Sequence, residues 1–418
     1  MKRPRIRGPM DRFTSSINHQ ASLGVYMRQQ NIQDAVDKNR RHDVDRFLAR
    51  WINESGIPFN AIDKDSFIQF VEAVGIYGKG YRPPSQYELK EPLLKEEVER
   101  TKGIIRDHEK EWENNGCSIM TDAWSDRKRR SIMNLCVNSN KGTIFLSSKE
   151  DSEEAHTRPY IYHYVDKCIK EVGAHRVVQV VTDNASNNMV AATTLEDKKR
   201  PSTFWTSCAT HTLNLMLHGI GNLPKFKGVI EKAKSCTIFI YAHHKTLALM
   251  RKYTKKRDIV RPRVTRFATS FLSLQSLMEK KSELRTMFAS SDWDKCKHSQ
   301  STKVRATYST IMNVGFWNGV GLCLKVFAPL VRVLRLIDGD KKPSMEFLYG
   351  ELLHAKEEIK GALKNQETLY REVLEIIETN ARDRLDRPLH LTAYILNHYY
   401  SYKEEMIQKQ FACHGWAT

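Results

Sequence analysis

Two aspartates stand where apolar, strand-like runs give way to polar turns: Asp122 in SIMTDAWSD and Asp183 in VVQVVTDNASNN. Carboxylates brought side by side repel, and a divalent cation relieves that repulsion; hard oxygen ligands suit Mg²⁺ or Mn²⁺. Such a pair is the working part of two-metal phosphoryl transfer. The same residues also fit plainer roles: one as the N-cap of a helix begun by Asn184, Ala185 and Ser186, the other as a turn residue. A second constellation is Cys208 with His211, a lone CxxH at a strand-to-helix step. As a zinc half-site it needs two more ligands, and Cys236, His243 and His244 lie at no spacing that commends them, so structural zinc is not expected. A third is the run RKYTKKRDIVRPRVTRF, which interleaves eight basic residues (Arg251, Lys252, Lys255, Lys256, Arg257, Arg261, Arg263, Arg266) with Tyr253 and Phe267. Cations of this density suit phosphate contacts, Phe267 could stack on a base or belong to a helix-packing core, and the bland reading is a solvated loop.

The elements that would position the aspartates follow from periodicity. CSIMTDAW, SIMNLCVNS and GTIFLSS have strand alternation and are separated by DRKRR and by Asn140-Lys-Gly. A helix over about 158–172 closes at Gly173, and HRVVQVVTDN carries the Val run of a strand buried on both faces. The order is β-β-β-α-β, in which a crossover helix can return the fourth strand parallel to the first. A helix from about Ala185 and a short strand leading into a helix over TFWTSCATHTLNLML follow. Beyond His218 helical patterns dominate to about Arg384, among them 328–337 and an acidic helix over 347–363. Upstream, Phe47, Leu48, Trp51 and Ile52, then Phe67, Phe70, Val71 and Val74, mark two short helices. Leu94, Val98, Ile105 and Trp112 mark one long amphipathic helix over 89–114, with Pro92 in its first turn.

The 418 residues exceed what one core usually serves. A hydrophobic fraction of 40% and a charged fraction of 28% exclude disordered, collagen-like and low-complexity classes. No stretch reaches the roughly 18 apolar residues of a membrane helix, and MKRPRIRGPM lacks the apolar core of a secretory signal, so a soluble intracellular chain is expected. Eight cysteines without a CxxC pair point to reduced thiols. The net charge of +18 favours a polyanionic partner, nucleic acid ahead of acidic membrane, and residues 241–310 hold 16 Lys/Arg against 5 Asp/Glu, which makes them the candidate binding surface.

TDAWSD, VVTDNASNN, WTSCATHTLNLML, RPRVTRFATSFLSL, FW and PLVRVLRLIDGDKKPSM, in that order and spacing, resemble the plant branch of the hAT-superfamily transposases and transposase-derived proteins, over roughly 117–398. The resemblance implies an α/β fold: an RNase H-like mixed sheet with flanking helices and a large all-α insertion. It assigns Asp122 and Asp183, 61 positions apart, to the first two acids of a DDE triad holding Mg²⁺ or Mn²⁺. Cys208 and His211 match the family's CxxH, and Arg266-Phe267 stands where the family usually has Arg-Trp. The expected organisation is a basic arm (1–30), a helical segment (31–114), the RNase H-like core (115–220), the helical insertion (221–385) and a shortened return segment (386–418). The family's amino-terminal BED finger has no counterpart here. Its third acid and dimerisation motif lie beyond the stretch matching LHLTAYILNHYY, and Glu351 and Glu404 lack matching context. The expectation is a nuclear, DNA-binding, transposase-derived protein with impaired catalysis and doubtful homodimerisation. The alternatives are a protein-interaction scaffold using the helical face over 347–380, and an active metal-dependent strand-transfer enzyme whose third acid is unrecognised.

Overall fold

The computed structural model describes residues 32–126, 128–150, 158–183, 203–261, 268–295, 302–339 and 345–401. The basic arm and the expected helix after Ala185 lie outside the described residues. The chain divides into two compact units, Met1–Glu96 and Glu97–Thr418.

The first unit is helical. α1 (Ile32–Ser55) is longer than the apolar cluster alone suggested, because charged pairs such as Arg41–Asp45, one turn apart, extend it through a polar stretch. A 3₁₀ turn over Phe59–Asp63 leads to α2 (Asp65–Tyr77). The long helix foreseen over 89–114 is broken near its start into α3 (Gln86–Lys90) and α4 (Pro92–Asn115), the latter running on into the second unit. Glu91, with φ −114° and ψ −81°, has the non-helical backbone that a following proline imposes. Ser85 and Glu88 cap α3 reciprocally, the Glu88 amide donating to the Ser85 hydroxyl at 3.2 Å and the Ser85 amide to the Glu88 carboxylate at 2.7 Å.

The second unit is built on a five-stranded mixed sheet. β1 (Cys117–Ser125), β2 (Ser131–Ser139) and β3 (Gly142–Glu150) form an antiparallel meander. α5 (Arg158–Val172) carries the chain to β4 (Val177–Thr182), which pairs parallel with β1, and β5 (Phe204–Ser207) pairs parallel with β4, giving the order β3-β2-β1-β4-β5. Gly173 closes α5 at φ +103°, the left-handed conformation expected of it. One sheet face is apolar: Ile119, Val137 and Val180 are fully buried against Val165 and Ile169 of α5, and Trp112 of α4 joins them.

Every described element after β5 is a helix. α6 (Ala209–Asn222), α7 (Pro224–Ala242), α8 (His244–Tyr253), α9 (Ala268–Glu279), α10 (Lys281–Phe288), α11 (Ser291–Asp294), α12 (Thr302–Met312), α13 (Val314–Ile337), α14 (Met345–Ala362), α15 (Glu367–Ala381), α16 (Pro388–Leu396) and α17 (His398–Ser401) follow in turn. Their shared core holds Phe226, Phe288, Trp317 and Phe327, none more than 1% exposed. α13 extends well beyond the 328–337 read from sequence. Pro329 lies inside it, and burial of Phe327, Leu330 and Val331 offsets the lost backbone hydrogen bond. Among the described residues no helix is long and apolar enough to cross a membrane.

α16 and α17 dock on α14 at Gly350, where a Cβ would lie 2.5 Å from the Tyr400 ring and 2.8 Å from Tyr394. Gly350→Ala is therefore expected to cost about 1–3 kcal/mol, because two buried rings must move. Urea unfolding measures it; an unchanged midpoint would mean that the rings shift freely.

Candidate functional site

β1 does not end at Asp122. It continues to Ser125 along β2, with Asp122 opposite Asn134. The turn role belongs instead to Asp126, whose carboxylate accepts from the amides of Lys128 at 2.8 Å and Arg130 at 2.9 Å. On its other side β1 pairs with β4 only as far as Met120↔Val181. Two further residues along each strand bring positions 122 and 183 level, beyond the last shared hydrogen bonds, so Asp122 stands on an open strand edge. Asp183 follows β4 directly, and Asn184, Ala185 and Ser186 lie outside the described residues.

Alternation puts Ser118, Asp122, Gln179 and Asp183 on the face opposite the apolar core. A polar row crosses that face: Ser118 donates to the Gln179 side-chain oxygen at 2.9 Å, and the Gln179 amide donates to the Thr206 hydroxyl at 2.7 Å. Asp122 is exposed and Asp183 half-buried. Cys208 caps the start of α6, its amide donating to the Thr182 carbonyl at 2.6 Å. Burial raises the Cys208 thiol pKa; the backbone amides of His211 and Thr210 oppose this, and the charges of both Asp122 and Asp183 add to it. Burial also raises Cys136 on β2, with Asp122 as the second cause. Both carboxylates thus count among the charges acting on Cys208, and of the two Asp122 alone acts on Cys136.

The backbone at Asp183 is held by residues that sequence reasoning did not single out. The Trp205 indole donates to the Thr182 hydroxyl at 3.0 Å, and that hydroxyl donates to the Asp183 carbonyl at 3.1 Å. Arg387, just before α16, donates to the Trp205 carbonyl. A tryptophan that is 1% exposed must satisfy its N–H, which is the signal that could have drawn attention to Trp205.

Residues 84–236 match DUF659, a domain of unknown function. The DUF659 match spans α4, the whole sheet and α6, and so includes Asp122, Asp183, Cys208 and His211. No curated protein matches the chain.

His211 is exposed on α6. Cys236 is buried in the helical core with its thiol pushed up to about 12 by burial, and the His243 ring pairs with the Phe239 carbonyl at 2.8 Å. Among the described residues no group of three or more His, Cys, Asp or Glu could hold a metal ion. Glu351 accepts from the Tyr400 hydroxyl at 2.9 Å, whereas Glu404 lies outside the described residues.

In the basic run, Arg251 grips Asp258 with two hydrogen bonds at 2.8 and 2.7 Å, Lys252 meets Asp292 at 2.6 Å and Arg257 meets Glu283 at 2.7 Å. The Arg261 guanidinium lies 5.0 Å from the centroid of the Tyr241 ring. Lys255 and Lys256 are exposed. Arg263, Arg266 and Phe267 lie outside the described residues.

Proposed function

We propose that this chain is a transposase-like DNA-binding protein of the hAT kind, with an RNase H-like core that keeps two acids of an ancestral metal site. The observation that carries the reading is the level placement of Asp122 and Asp183, two residues beyond the last shared pair of the parallel neighbours β1 and β4. The match to DUF659, a domain found in hAT-like plant transposases, supports it. So does the charge of +18, concentrated in the helical region that the resemblance reads as an insertion, and a nuclear site of action follows from a DNA partner.

Two carboxylates on an open strand edge fit one side of a Mg²⁺ or Mn²⁺ centre, because they offer hard oxygen donors whose repulsion a cation relieves. Asp122 and Asp183 would hold it, and a bound ion would supply Lewis-acid polarisation of a phosphodiester. The described residues contribute no third acid to the pair. Ion placement by two ligands leaves transition-state charge poorly neutralised, so the proposed protein holds DNA without processing it efficiently.

The test compares the unaltered chain with Asp183→Asn on labelled linear duplex, with Mn²⁺, at low and moderate salt. Salt-sensitive retention by both proteins and little cleavage by either is the expected result. Cleavage that falls about 100-fold or more on substitution would overturn the impaired-enzyme reading in favour of an active strand-transfer enzyme. Indifference of the unaltered chain to DNA would favour the scaffold that uses the helical face over 347–380, carried by α14 and α15.

A further inference from the structure

The eight basic residues between 251 and 267 look equivalent in sequence, yet the fold sorts those that are described into two sets. Arg251, Lys252 and Arg257 each hold a carboxylate, and the three carboxylates come from three directions: Asp258 within the same loop, Asp292 on α11 and Glu283 on α10. These pairs tie the end of α8 and the following turn to the helices beside them. A cation taken from such a pair to serve a phosphate exchanges one anion for another, and leaves behind a carboxylate that repels the incoming strand.

Lys255 and Lys256 differ in both side chain and backbone. Their ammonium groups have no ion-pair partner among the described residues. Their φ angles are +53° and +62°, two successive left-handed residues where a helix end ordinarily calls for glycine. The turn is fixed by the Lys256 amide donating to the Arg251 carbonyl at 2.7 Å and the Arg257 amide donating to the Thr254 carbonyl at 3.1 Å, over a fully buried Thr254. A turn of the same form follows α14, but its second left-handed residue is Asn365, a type that tolerates this conformation. Lysine at 256 is locally costly, and while its amide serves the turn, its exposed ammonium is left available for a role elsewhere. Lys256 also lines an open groove of about 580 Å³ beside Ala248, Arg251, Lys252 and Asp258. Arg261 is exposed and preorganised by stacking on Tyr241, whose hydroxyl is anchored to the Ile259 carbonyl at 2.7 Å. A stacked guanidinium keeps its N–H edge available for a bidentate phosphate contact.

We infer that, among the described residues of this loop, Lys255, Lys256 and Arg261 contact the phosphates of duplex DNA, whereas Arg251, Lys252 and Arg257 hold the loop in shape. The inference rests on the DNA-binding reading above and adds to it which cations act. It makes two opposite predictions from neighbouring residues. Lys255→Gly with Lys256→Gly suits the left-handed backbone, so the fold is kept or stabilised, while binding falls. Asp258→Asn breaks the pair by which Arg251 shapes the loop, so the fold is weakened while the set of phosphate contacts stays the same.

The experiment is fluorescence anisotropy of a labelled random-sequence duplex titrated with the full chain between 50 and 200 mM NaCl, with thermal denaturation alongside. Each phosphate contact contributes about 0.9 to the slope of log affinity against log salt. The double glycine variant is expected to have a slope shallower by about 2 and an undiminished melting temperature, and Asp258→Asn an unchanged slope and a lowered melting temperature. If the unaltered chain binds while the double glycine variant keeps its slope, the inference is overturned and the DNA reading stands. If Asp258→Asn changes the slope and leaves the melting temperature untouched, Arg251 acts on phosphate rather than on the loop and the sorting is wrong. No salt-dependent binding by the unaltered chain overturns the DNA reading itself. Retention of single-stranded RNA with indifference to the duplex overturns the choice of partner.

Discussion

Acidification from about pH 6.5 to pH 4 is expected to cost the folded chain about 3 kcal/mol through His390 alone. His390 lies on α16, is 2% exposed, and has no hydrogen-bond partner for its Nδ1. Burial, with Arg387 adding to it and Asp386 opposing, lowers its pKa from 6.5 to about 4. The folded state therefore keeps the ring neutral at a pH where the unfolded chain has already bound a proton. Stability from this group is fully present above about pH 6.5 and is lost as the pH falls toward 4. Urea unfolding at pH 7 and pH 5 measures the effect, about 2 kcal/mol over that interval. His390→Leu, which keeps the volume and removes both the titration and the orphaned nitrogen, is expected to flatten the profile. An identical acid loss in the variant would assign the pH dependence to other groups.

Trp205→Ala is expected to destabilise the chain by about 3–5 kcal/mol, the largest single-residue effect anticipated here. The side chain is 1% exposed in the core beneath the sheet, and its indole satisfies the Thr182 hydroxyl. Removal leaves a cavity, a buried Thr182 hydroxyl that has lost its donor and keeps only its bond to the Asp183 carbonyl, and a looser backbone at Asp183. Trp205→Phe fills part of the volume and loses only the hydrogen bond, so a smaller cost of about 1–2 kcal/mol is expected. Denaturant unfolding of both variants separates the two contributions. A loss below about 1 kcal/mol for the alanine variant would show that the strand pair carrying Asp183 is held by other contacts.

These two effects belong to side chains whose importance is invisible in one dimension. Trp205 lies 182 residues from Arg387, and sequence offers no register between them. The same holds for the basic run: Asp292 reaches Lys252 across 40 positions and Glu283 reaches Arg257 across 26. Charge density is a local property and could be counted directly, but which charges are already matched depends on packing.

Local patterns resolved the elements well. Alternation marked β1 to β3, the Val run marked β4, Gly173 marked the end of α5, and helical periodicity marked several helices and the all-helical character beyond His218, because each signal acts within a few residues. Two boundaries failed for opposite reasons. Glu91 yielded to the proline after it, a purely local clash, whereas Pro329 stayed helical because distant residues bury its neighbours. The β-β-β-α-β order also made Asp122 and Asp183 candidates for adjacency, since few connections can follow it.

What the sequence by itself determined is therefore the set of elements, the basic character of 241–310 and the two acids most able to meet. Only the tertiary structure decided that β1 runs past Asp122 with one edge open, that Cys208 bonds to Thr182 beside Asp183, and that Trp205 ties down the backbone there. Periodicity and charge are carried by neighbours along the chain, whereas register, ion pairing and burial are settled by contacts between segments whose separation the linear order does not encode.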